Sequence, residues 1–368
     1  MRQVPFVNPK RGYQNLKAEL DAAYRDVMEN GELIQRRHLK SFEENLARFV
    51  ETRYAVGLNS GYDALHLSLR AAGVGVGDEV IVPAHTFVAT ASAVVHVGAR
   101  PILVDVGRDF NIAVEQIEKA ITPRTKAILP VHLSGHMADM PRIMEIAARH
   151  RLAVVEDACQ SLGARLNGKG AGSWGITGCW SFYPFKMLGA YGDGGAITTN
   201  DTRIAQFARR MRYNGEDRET GEYHGHGFTC LLDNLQAAFL DVKLRHLPDW
   251  IARRQAIARQ YRAALSDLPD LLLPHYDDPR HNDVYQNYTV RARQGSAFSE
   301  FLKANGIEVL TQFRKPYYRH PALNLMEQGP FPETEAISRE VCSLPMNAEL
   351  EDAEIAEVIR VVRAFYRG

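Results

Sequence analysis

Between residues 54 and 199, short β-rich apolar runs alternate with amphipathic helical runs, and few folds accommodate that alternation. The β-rich runs cover 54–58, 79–82, 101–104, 127–131, 152–156, 178–182 and 195–199. Helical periodicity fills 62–72, 86–97, 114–120 and 140–150 between them. The strands carry few polar residues, so both of their faces must be covered. This predicts an α/β fold, with a mostly parallel sheet flanked by helices. Two amphipathic helices precede it. One places Leu16, Leu20, Tyr24 and Val27 on one face and stops at Asn30-Gly31; the other spans 39–50.

The pattern changes after about residue 245. Ile257, Tyr261 and Leu265 mark one face of a helix over 250–268, and 287–292 reads as a strand. Phe298, Phe301 and Leu302 stripe a further helix, and Ile355, Val358, Ile359, Val362 and Phe365 stripe the last one. We expect a large domain over 1–245, including the N-terminal helices, and a smaller C-terminal α+β domain over 246–368. A chain of 368 residues suffices for both and for a cleft between them.

Composition narrows the function. Lys plus Arg and Asp plus Glu both number 44, so the overall basic footprint of a nucleic-acid binder is missing. The four cysteines, Cys159, Cys179, Cys230 and Cys342, form no C-x-x-C pair, which argues against a zinc or redox motif. Residues 1–10 are polar, and no apolar run approaches the ~18–20 residues that span a bilayer. We therefore expect a reduced, cytoplasmic protein. His224 and His226 lack the third convergent ligand that a metal needs, so no metal is expected. Gly73, Gly75 and Gly77 follow a helix and precede a strand, the reverse of a dinucleotide fingerprint, and read as a turn. Arg209, Arg210 and Arg212 read as a solvated helix face.

One constellation carries chemistry. Asp157 ends a strand, with Gln160 just beyond it. Lys186 follows in the run Ser181-Phe182-Tyr183-Pro184-Phe185-Lys186, before a stretch containing Gly189, Gly192, Gly194 and Gly195. In a doubly wound sheet, ligands sit at the carboxyl ends of the strands, so Asp157 and Lys186 can face one crevice. A desolvated lysine is a nucleophile fit for a Schiff base, and an aspartate at a strand end can pair with a pyridinium nitrogen. Together they describe a site for pyridoxal 5′-phosphate (PLP). The phosphate needs a cradle, and Ser60-Gly61-Tyr62 lies between a strand and a helix, where backbone N–H groups bind anions. Each residue also has a plainer reading. Asp157 can cap a helix, Lys186 can be a surface lysine, Ser60 an ordinary N-cap, Phe87 a core side chain, and Tyr318 and His320 loop residues.

The stretches NSGYDAL, GVGDEVIVPAHTFVATASAV, VVEDACQSLGA, SFYPFKMLGAYGDGGAITTND and SLPMNAEL, taken together, resemble the DegT/DnrJ/EryC1/StrS family of PLP-dependent sugar aminotransferases. The resemblance implies the fold type I aminotransferase architecture and a homodimer whose active sites are built from both subunits. It implies transfer of an amino group from L-glutamate to a keto sugar, commonly nucleotide-linked, as in amino-sugar biosynthesis. The wording of SFYP and GDGGA leans toward amination at C3. By motif match, Lys186 would form the Schiff base and shuttle a proton, Asp157 would pair with the pyridinium nitrogen, and Gln160 would approach the phenolic oxygen. Phe87 would stack on the ring, while Ser181, Gly61 and the Tyr62 N–H would hold the phosphate. Thr229 stands where the family's asparagine reaches the partner's phosphate. Tyr183, Tyr318 and His320 are candidates for facing the acceptor. Tyr62 replaces a usual threonine, Met187 an asparagine and Leu231 an arginine. The rival readings are a cyclitol ketone aminotransferase, a PLP-dependent sugar dehydratase, which in this family carries histidine in place of Lys186, and a catalytically idle regulatory relative.

Overall fold

The computed structural model describes residues 3–274 and 278–367. Its centre is a seven-stranded sheet. The strands lie in the spatial order Tyr54–Leu58, Gly195–Thr199, Thr177–Ser181, Ala153–Asp157, Thr125–Ile128, Glu79–Pro83, Arg100–Val104. All pairings are parallel except those of Gly195–Thr199, which runs antiparallel to both neighbours. The mostly parallel sheet is therefore as expected, with one strand reversed.

Side-chain alternation along the strands builds two cores. Ala55, Ile81, Ile128, Val154, Trp180 and Ala196 face the helices Arg37–Val50 and Met140–His150 and the first part of Asn234–Leu265. Val56, Val82, Leu129, Val155, Cys179 and Ile197 face the helices Gly61–Ala71, Val88–His96 and Thr202–Met211. Each strand buries both faces, which is why the runs read as continuously apolar.

A third core holds the C-terminal part. The strands Leu271–Leu272, Tyr288–Ala292 and Val341–Leu344 form an antiparallel sheet. It packs with the helices Gly295–Ala304 and Asp352–Phe365 around Tyr288, Phe298, Leu344 and Val358. Val4, at the other end of the chain, joins this core.

The helix expected over 250–268 begins sixteen residues earlier. It runs unbroken over Asn234–Leu265, through residue 245, with Pro248 inside it. Proline lacks the N–H and crowds the preceding turn, so sequence reasoning starts a helix after it. Here packing overrides that preference. Leu240, Leu244, Leu247 and Ile251 lie in a core of the large sheet, and Ile257, Tyr261 and Leu265 lie in the C-terminal core. One helix thus serves two cores. Among the described residues, no helix is long and apolar enough to cross a membrane.

Candidate active site

Topology brings four strand ends to one edge. Leu58 and Ser181 both pair with Gly195, and Asp157 pairs with Cys179, so the carboxyl ends of three strands lie together with the amino end of the reversed strand Gly195–Thr199. Just beyond them come Ser60, which caps the helix Gly61–Ala71, and Phe87, the N-cap residue of Val88–His96. The edge encloses a cavity of about 420 Å³. Ser60, Gly61, Tyr62, Phe87, Asp157, Gln160, Ser181, Tyr183 and Lys186 all line it, so the structure gathers these candidates in one place.

Asp157 is buried at the floor. Its Oδ2 accepts from the Thr90 hydroxyl at 2.9 Å and its Oδ1 from the Cys159 N–H at 3.3 Å. Because Thr90 donates to the carboxylate, Thr86 donates in turn to Thr90, at 3.0 Å. These contacts fix the carboxylate plane. Burial pushes the Lys186 ammonium below the usual lysine range, while Cys159 and Asp157 pull the other way. A larger neutral fraction at a given pH makes the amine a better nucleophile. Burial and the charge of Asp157 hold the neighbouring Cys159 well above the usual thiol range, so it remains a thiol. Gln160 Oε1 accepts from the Ser134 N–H at 2.8 Å, which orients its amide.

At the other end of the cavity lies the first turn of Gly61–Ala71. The Ser60 hydroxyl accepts from the Asp63 N–H and donates to its carboxylate at 2.7 Å. Ser60 is therefore a helix cap, and the free backbone N–H groups behind it are what the turn offers an anion. The Tyr62 hydroxyl is taken by His96 Nδ1, so this departure from threonine leaves the Tyr62 N–H unchanged. Gly195 packs on this turn. A Cβ there would lie 2.2 Å from the Ser60 carbonyl carbon and 2.6 Å from the Gly61 nitrogen. Gly195→Ala must displace the cradle. We expect PLP affinity to fall by about tenfold or more, the scale of one lost hydrogen bond to a charged group. Fluorescence titration measures this, and unchanged affinity would separate the turn from phosphate binding.

Sequence reasoning missed several lining residues. Thr86, Thr90 and Asp193 belong to the wall, and Gln312 and Phe313 reach it from the C-terminal part. Phe313 sits at φ +63°, and its ring meets buried His85 edge-on at 5.3 Å. Burial lowers the His85 pKa to about 4, which keeps that ring neutral.

Three candidates lie elsewhere. Tyr318 is fully buried with its hydroxyl on Glu335, and His320 is exposed; neither lines the cavity. Thr229 is exposed and donates to Asn214 at 3.0 Å, outside this chain's own cavity. The arginine run is not a uniform solvated face either. Arg212 is buried against Glu43 and the Gly57 carbonyl because its helix packs on the first strand, and Arg210 pairs with Asp217. His224 and His226 stay exposed. A different trio, His136, His281 and Asp283, comes within 4.8 Å. His136 Nδ1 bonds Asp283 at 2.8 Å, and the two imidazoles stack at 4.2 Å and 22°. Lone pairs in nearly parallel stacked planes do not converge on one ion.

The sequence model of the DegT/DnrJ/EryC1/StrS aminotransferase family matches residues 14–363. The chain belongs to this family. It is 42% identical to the dTDP-3-amino-3,4,6-trideoxy-alpha-D-glucose transaminase of Streptomyces venezuelae, over 98% of this chain and 96% of the relative. It is 40% identical, over 99% of both chains, to a pleiotropic regulatory protein of Geobacillus stearothermophilus. The crystal structure of S. venezuelae DesV in complex with a ketimine intermediate matches with a TM-score of 0.96 at 41% identity, covering 100% of both chains. The DegT/DnrJ/EryC1/StrS enzymes are PLP-dependent aminotransferases.

The residues present fit that cofactor. The cavity offers an amine at Lys186, an oriented carboxylate at Asp157 and a helix N-terminus for a phosphate. The Phe87 ring, 58% exposed on the wall, supplies an aromatic face.

Proposed function

We propose that this chain transfers the amino group of L-glutamate to the ketone of a nucleotide-linked sugar, at C3. The observation that carries this reading is the meeting of Lys186 and Asp157 in one cavity with the N-terminus of Gly61–Ala71. The transaminase from S. venezuelae, named for a dTDP-linked 3-amino sugar, supports the acceptor class.

PLP, when bound, supplies a carbonyl carbon and a ring that accepts an electron pair. The chain's residues do the rest. Backbone N–H groups of Gly61 and Tyr62, with Ser181, hold the phosphate. Asp157 keeps a proton on the ring nitrogen. Phe87 covers a ring face, and Gln160 faces the phenolic oxygen. Lys186 holds the cofactor before substrate arrives. Its freed amine then removes the proton from the glutamate α-carbon and, in the second half, delivers one to the sugar carbon. A histidine at 186, as in the dehydratases, would lack the first of these tasks.

The cavity wall carries one cation, Lys186, against two carboxylates, Asp157 and Asp193, among the described residues. A cofactor phosphate and a nucleotide diphosphate require more positive charge than that. We infer that a second copy supplies it, in a homodimer with shared sites in the cytoplasm. The exposed rings of Phe185, Tyr191 and Phe228 support this reading, as apolar surface that a partner would cover.

The test is nitrogen transfer. Holoenzyme incubated with 15N-labelled L-glutamate and dTDP- or UDP-linked 3-keto sugars should yield 2-oxoglutarate and a 15N-labelled amino sugar by mass spectrometry. Oxoglutarate release without sugar labelling would redirect the acceptor toward a cyclitol ketone. No release at all would favour the regulatory reading that the name of the G. stearothermophilus relative raises.

A further inference from the structure

We propose that Gln286 is a positioning residue for Lys186. The inference rests on the reading that Lys186 is the reactive amine. Lys186 lies in a segment, 182–190, with no helix or strand ladder to hold it. Its own N–H bonds the Tyr183 carbonyl at 2.8 Å, which curls the loop but does not anchor it to the body. The Lys243 ammonium on the Gly189 carbonyl at 2.6 Å and the buried side chains of Phe182, Met187 and Leu188 tie the segment to the body, but one side chain grips the backbone immediately beside the lysine. Gln286 Oε1 accepts from the Met187 N–H at 3.0 Å, and Gln286 Nε2 donates to the Phe185 carbonyl at 3.2 Å. Those two groups lie on either side of Lys186. A single planar amide therefore holds the backbone before and after the lysine, and any tilt at its Cα is magnified along the four-carbon side chain.

Gln286 is itself held firmly. It is buried and immediately follows Tyr285, which adopts the left-handed region at φ +51° and turns the chain toward the loop. The guanidinium of Arg254, buried within the long helix, donates to the carbonyls of Tyr285, Gln286 and Met346, at 2.9, 3.3 and 2.8 Å. The brace thus carries the position of the C-terminal part directly to the lysine. The geometry needs a donor and an acceptor on one side chain of this length. Glutamine meets that need, and a charged glutamate offers the acceptor alone.

Two variants test the proposal. Gln286→Met keeps length and volume and makes neither bond. Gln286→Glu accepts from Met187 when charged, and makes both bonds only when protonated. For each, we would measure the thermal midpoint, the rate at which PLP becomes fixed to Lys186 by borohydride (located by peptide mass spectrometry), and kcat and KM for glutamate. With the fold intact, Gln286→Met should slow PLP fixation and kcat on the order of tenfold, as expected for a reacting group held slightly out of place, with KM nearly unchanged. Relative to the wild type at the same pH, Gln286→Glu should be slow at alkaline pH and recover as pH falls and its carboxyl gains a proton. If Gln286→Met fails to fold, the pH recovery of Gln286→Glu decides. Wild-type rates in the variants, or a lower thermal midpoint with unchanged fixation and kcat, would overturn the proposal. PLP fixed elsewhere than Lys186 in the wild type would overturn the underlying reading, and the proposal with it.

Discussion

Lys186→Ala lowers kcat/KM for amino transfer by about 10⁴-fold or more, the range expected when a general acid–base is lost together with a covalent anchor. The amine sits in a cavity whose burial lowers its pKa, which fits it both to attack a carbonyl and to take a proton. The variant should bind PLP through its phosphate and ring but acquire no borohydride-stable mass. Steady-state kinetics and intact-protein mass spectrometry check the two halves separately. Lys186→Arg should be just as inactive, because guanidinium remains protonated and is no nucleophile. A variant retaining a tenth of the wild-type rate would remove Lys186 from the mechanism.

The second large effect belongs to Asp157→Asn. The amide occupies the same volume but no longer faces a ring N–H with a negative charge. Breaking a buried charge pair costs about 3–5 kcal/mol, and each power of ten in rate corresponds to about 1.4 kcal/mol. A fall in kcat of about 10² to several 10³-fold follows, with PLP still fixed at Lys186. The adjacent Glu156 is the control. It points to the opposite face and accepts from the N–H groups of Gly172, Trp174 and Gly175, and pairs with His132 at 3.0 Å. Glu156→Gln should lower the thermal midpoint while sparing kcat in the folded fraction. If the two variants exchanged these behaviours, the carboxylates would have been assigned the wrong way round.

The neighbouring carboxylates show what a linear sequence can convey. Strand alternation places them on opposite faces, and the place of Asp157 at the strand's carboxyl end, together with the family's wording, selects it. The parallel strands were legible because burial on both faces leaves them continuously apolar. The reversal of Gly195–Thr199 was not, since composition carries no direction. The start of the long helix was hidden by Pro248, whose local preference is overruled by packing. Within the site, residues set by strand ends and helix caps were foreseen. Thr90 was not, because one hydroxyl in an apolar helix has no periodic signal. Gln312 and Phe313 approach from the far end of the chain, and only the fold brings them near Phe87. Tyr318 carries a suggestive side chain in a suggestive segment, yet its hydroxyl is satisfied by Glu335 in the interior.

The helix shared by two cores limits how such a protein can be recombined. Leu247 faces one core and Ile257 the other, with continuous helix between them. An α-helix turns about 100° per residue, so one inserted or deleted residue in that interval rotates the second apolar face away from its core. A chimaera that borrows the C-terminal part of a relative, and with it the cavity-lining residues at 312 and 313, must preserve the residue count across the junction. Joins made with helical phase intact should yield folded hybrids, whereas flexible linkers placed there should not.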